Sequence, residues 1–262
     1  MNKINSILVW LTIFSIAMGF LETAVVVYLR ELYYPDGFNF PLAPIKPGIA
    51  VTEFLREAAT MVMLAGIAVL TFKNTAQRFA AFIYAFAIWD IFYYVFLKLL
   101  LNWPASLLTW DILFLIPVPW VGPVVAPCLL SLTMIGLALF IMFGYAQGYS
   151  IRINKKEWMV FTLGSLVCIL SFVWDYLLFV SQQGGLSSLW NLSSSQSLFT
   201  EALEYIPGSF NWMLFLAGEV ILLMGIGMII VRVRKQTPIS IHKNLSPAHE
   251  PSGNFSDYFD AL

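Results

Sequence analysis

The sequence predicts an all-α protein: a polytopic membrane helix bundle with about six transmembrane helices and one short outer-leaflet or re-entrant helix. Three observations carry this. First, the chain is 60% hydrophobic and 11% charged, whereas soluble domains run near 25% charged. Second, six long apolar runs punctuate it, each able to cross a hydrocarbon core of about 30 Å at about 1.5 Å per residue. Third, Lys and Arg alternate between loops as the positive-inside rule requires.

The crossings are expected near Ile7–Leu29, Val51–Phe72, Phe79–Leu101, Val121–Tyr145, Trp158–Ser181 and Asn211–Val231. Lys3 and Ile7–Phe20 resemble a signal peptide. The apolar run continues through Leu29, so a retained helix is expected. Lys3, Lys73, Arg78, Arg152, Lys155, Lys156, Arg232, Arg234, Lys235 and Lys243 all fall on one side of this arrangement. Arg30, Lys46, Arg56 and Lys98 fall at the other. The first side is therefore expected to be cytoplasmic, with both termini there, in a plasma or inner membrane. Residues 1–235 form the bundle, and 236–262, polar and Pro/Ser-rich, form a disordered cytoplasmic tail.

Between the third and fourth crossings, Pro104, Pro117, Pro119, Pro123 and Pro127 break the chain. Ala105–Ile116 is too short to cross, so it reads as the outer-leaflet or re-entrant helix. Irregular backbone at membrane depth needs protein or a water-filled cavity around it, so this segment is a candidate wall of a site. A short amphipathic helix is expected at Leu198–Ile206, within a loop that has no Lys or Arg.

The carboxylates locate that site. Glu22, Asp90, Asp175 and Glu219 each interrupt an apolar run, and a carboxylate at bilayer depth is expensive unless paired or facing water. Counted along the helices, Asp90 is central and the other three lie further out, so the charges concentrate in the outer half. Asp90, Tyr94 and Lys98 recur every four residues along one helix stripe. Glu22 and Arg30 share a face through Val26. Arg56 and Glu57 open the second helix, and Glu53 there suits a helix N-terminus. Asp111 joins the set through the recurrent dipeptides Trp89-Asp90, Trp110-Asp111 and Trp174-Asp175. The expected site is thus Glu22, Arg56, Glu57, Asp90, Tyr94, Lys98, Asp111, Asp175 and Glu219, open to the extracytoplasmic side.

Several classes are disfavoured. Both histidines, His242 and His249, lie in the tail, which argues against haem, catalytic zinc and Ser-His or Cys-His pairs in the bundle. Cys128 and Cys168 read as buried apolar residues. No basic stripe with aromatics suggests nucleic acid. No cofactor or metal is expected. The favoured reading is binding or transport of a small polar or cationic solute, or a lipid headgroup, in a chain that is a possible homo-oligomer. The alternatives are a membrane-embedded enzyme using paired carboxylates or a hard divalent cation on a lipid or peptide, and a structural or accessory subunit.

Overall fold

The computed structural model describes residues 2–114, 118–183, 204–236 and 238. Among the described residues six helices are long and apolar enough to cross a membrane: α1 Asn2–Tyr33, α2 Pro47–Thr71, α3 Thr75–Leu101, α4 Val125–Ala146, α5 Lys155–Gln183 and α6 Trp212–Arg234. Each contains an expected crossing core. The fold fits a multi-pass membrane protein.

The expected short helix is corrected. Part of that stretch is a strand, β1 Trp110–Phe114, paired antiparallel with β2 Trp120–Pro123 in the register Asp111↔Gly122. The physical reason lies in the residue types: Trp, Ile and Phe favour an extended chain, and prolines on both sides deny a helix its amides. The fourth helix consequently starts at Val125 rather than Val121, with Pro127 tolerated in its first turn. The hairpin is not exposed as an open sheet. Val121 packs with Tyr176, Val180 and Tyr205, and a Cβ on Gly122 would lie 3.1 Å from the rings of Phe172 and Phe210. Glu53 is also corrected: α2 begins at Pro47, so Glu53 lies in the second turn and pairs with Arg56 instead of serving the helix N-terminus. Leu198–Ile206 lies largely outside the described residues, as does the tail, apart from Gln236 and Pro238.

α3 is the centre. It packs against α1, α2 and α4, while α5 packs chiefly against α6 and β2. Small residues set these approaches. A Cβ on Gly19 of α1 would lie 3.0 Å from the Trp89 carbonyl oxygen, and Thr23 Oγ1 donates to the Tyr93 carbonyl across the same crossing at 3.2 Å. Close α5–α6 packing rests on Gly164, Gly218 and Gly225. A Cβ on Gly218 would lie 2.5 Å from Cys168 Sγ and 2.8 Å from the Cys168 amide nitrogen. Such small-residue contacts let helices gain dispersion where lipid offers no hydrophobic drive. By contrast the α2 backbone approaches α3 closely and stands farther from α1, which it meets through side chains such as Met18 with Leu64 and Glu22 with Arg56.

At the end opposite the hairpin, polar side chains close the loops. Asn154 and Glu157 exchange side chain–backbone bonds at 2.8 and 2.9 Å, a reciprocal N-terminal cap for α5. Glu157, 1% exposed, also takes two bonds from Arg232 of α6, at 2.8 and 2.9 Å.

Candidate functional site

A cavity of about 500 Å³ lies at the hairpin end, walled by α1, the first half of α2, α3, the segment from Tyr34 to Ile45 and the hairpin. Met18, Leu64, Ala85 and Trp89 form a buried cluster of α1, α2 and α3, and Trp89 also lines the cavity. The apolar pattern of the helices brings charges here because α1, α2 and α3 each carry their mid-helix or near-end charges at matching depth.

Two groups of charges line the cavity. The first joins α1 to α2. Arg56 Nε and Nη2 donate to Glu53 Oε1 at 2.9 and 2.6 Å, and Nη1 donates to Glu22 Oε2. The second joins α1, the hairpin and α3. Arg30 Nη2 stands 3.7 Å from Asp111 Oδ1, an ion pair too long for a hydrogen bond. Its guanidinium is held between Phe38 and Trp103, 4.6 and 4.0 Å from the ring centroids, a cation–π clamp. Among the described residues Arg30 donates no side-chain hydrogen bond. Asp111 is 2% exposed, and its Oδ2 is buried with no hydrogen-bond partner among the described residues. Burial pushes the Asp111 carboxyl up to about 6, while Arg30, the Ile112 amide and Tyr94 pull it back down. Asp90 lies nearby, with its Oδ2 accepting from Ser131 Oγ of α4 at 2.8 Å.

The structure brings Glu22, Arg56, Glu57, Asp90, Tyr94 and Asp111 to this one cavity, and leaves Lys98, Asp175 and Glu219 out of it. Each exclusion has a geometric cause. Steps of four along a helix drift by roughly 40° each, so Lys98 lies roughly 80° around from Asp90. Its Nζ instead donates to the Asn102 and Pro104 carbonyls at 3.3 and 3.1 Å, closing the C-terminus of α3. Asp175 accepts from Tyr205 Oη at 2.7 Å and from the amides of Gly208 and Ser209 at 2.9 and 3.3 Å. It therefore anchors the segment leading into α6. Glu219 sits between α6 and α4, 3.0 Å from Thr133 Oγ1, with Oε1 buried and without a hydrogen-bond partner.

Arg30, Glu53, Tyr34 and Tyr93 also line the cavity and were not in the expected set. Arg30 carried a signal, its shared face with Glu22. Glu53 carried one too, as the residue three before Arg56. Tyr34 and Tyr93 carried none. The cavity thus holds five carboxylates (Glu22, Glu53, Glu57, Asp90, Asp111) against two guanidiniums (Arg30, Arg56). Among the described residues no group of three or more His, Cys, Asp or Glu is arranged to hold a metal ion.

No protein-family model, curated protein or solved structure matches the chain. The functional reading therefore rests on the cavity alone.

Proposed function

We propose that this chain is an integral membrane protein, with both termini in the cytoplasm, that binds a small solute bearing a cationic group on the extracytoplasmic side, as a receptor or carrier. The observation that carries the reading is the charge balance of the cavity. Five carboxylates against two guanidiniums favour a cation over an anion, because buried charge is costly unless neutralised. The orientation rests on the basic residues, which gather at the end opposite the hairpin.

Purified protein in nanodiscs should be stabilised by primary and quaternary amines, and not by matched carboxylates or phosphate. A ligand at ten times its Kd adds about 1.4 kcal/mol, enough to move a melting curve. Stabilisation by the anions and not the amines would reverse the reading. A reporter fused after Gln236 should be active in the cytoplasm, and activity on the other side would overturn the orientation.

A further inference from the structure

Resting on that reading, we infer that the ligand is an amphiphile, an apolar chain ending in an ammonium group beside a hydrogen-bond-accepting oxygen.

The head is read from the atoms left open. An acidic cluster alone would specify nothing, but Asp111 lines the cavity, is 2% exposed, and its buried Oδ2 has no hydrogen-bond partner among the described residues. Beside it Arg30 donates no side-chain hydrogen bond among the described residues, and its guanidinium lies over the rings of Phe38 and Trp103. An open acceptor next to open donors matches a ligand group that both donates and accepts. An ammonium beside a hydroxyl, ester or phosphate oxygen is such a group. Arg56, in contrast, is already engaged by Glu22 and Glu53.

The tail is read from the walls. Besides its charged residues the cavity is lined by Ile45, Ile49, Phe54, Ile112, Phe114 and Val118. A volume of about 500 Å³ is that of a site for a molecule of drug size, larger than a bare amine. A small hydrated cation would leave that apolar wall wet, whereas a chain covers it.

The test is photolabelling of the full chain in phosphatidylglycerol nanodiscs, whose headgroups carry no amine. The probe is an alkylamine with a diazirine in its chain, and adducts are mapped by mass spectrometry. Adducts are expected on Phe54 and the Ile112–Phe114 strand. Each methylene is expected to improve aqueous competition by about fourfold, so decylamine should outcompete butylamine by at least 100-fold. Decanoate, which enters the same bilayer, should not compete. Asp111→Asn should lower labelling at least tenfold, and Asp90→Asn serves if that variant does not fold. Lysophosphatidylethanolamine competing better than decylamine would identify a phospholipid as the source. The reverse order would identify a simple amine, and both leave the amphiphile in place. Adducts confined to the outer faces of the helices would overturn the inference, as would equal competition by butylamine, which leaves the cationic-solute reading standing. If no amine competes and decanoate does, both fall.

Discussion

Replacing Arg30 by Met should destabilise the protein by an amount that depends on pH, and the dependence can be worked out. At 3.7 Å and an effective dielectric near 20, the Arg30–Asp111 attraction is about 4–5 kcal/mol. That overstates the loss, because a stranded Asp111 escapes by taking up a proton. Its carboxyl is already at about 6 in the fold, against an ordinary 3.8. A raised carboxyl pKa means the folded state binds more protons than the unfolded one between those two values. Stability from this group therefore falls as pH rises through that window. With Arg30 present the fall stops above about 6. Without it the fall continues, at about 1.4 kcal/mol per pH unit, until the new pKa is passed. At pH 7.5 the variant should lose up to about 2 kcal/mol (about 1.5 units above pH 6) from this cause, and at pH 5 close to none. Loss of the two ring contacts adds about 1–2 kcal/mol at both pH values. Asp90, Tyr93 and Tyr94, which also surround Asp111, are common to both proteins and cancel. Thermal unfolding in detergent at the two pH values reads this directly. The pH-dependent part corresponds to roughly 4–8 °C for a chain of this size. Arg30→Met with Asp111→Asn should abolish the pH-dependent part and keep the constant one. Equal penalties for Arg30→Met at pH 5 and pH 7.5 would refute the pairing.

Gly218→Ala should cost about 1–3 kcal/mol by forcing α5 and α6 apart. Cys168→Ala should not rescue it, because the Cys168 amide nitrogen, 2.8 Å from the new Cβ, remains in place; full rescue in a thermal melt would place the clash on the sulfur alone. Asp175→Asn should weaken the bonds from Tyr205, Gly208 and Ser209 at about 1–3 kcal/mol in all, and speed amide exchange at Gly208 and Ser209 while amine binding holds. Lost binding with unchanged exchange would return Asp175 to the site.

The six helices were legible because long apolar runs allow few alternatives. The hairpin was not, although Trp110–Phe114 has a strand's residue types, because a membrane setting favours elements that satisfy their own backbone. Here Tyr176, Val180 and Phe172 of α5 and Phe210 cover the hairpin instead, a tertiary fact that no local pattern records. The site was legible in depth and not in azimuth. Glu22, Asp90, Asp175 and Glu219 stood out because each breaks an apolar run. Which way each points was hidden because these helices are apolar almost all round, so no polar face fixes their rotation. Glu22 and Asp90 therefore fell on the cavity, while Asp175 went to a loop and Glu219 to the α4–α6 contact. Arg30 was not singled out because its place at a helix end looked interfacial, whereas Phe38 and Trp103 lie against its guanidinium.

The slight packing of α2 has a thermodynamic consequence. A wall that contributes little to the cohesion of the rest can be displaced without unfolding it. The α5–α6 contact, by contrast, is fitted to within a methyl group. The glycine-lined contact thus fixes the scaffold, while α2, whose backbone closely approaches α3 alone, is the wall whose displacement would disturb the fewest backbone contacts. A ligand in the cavity would therefore be read first as added order in that helix.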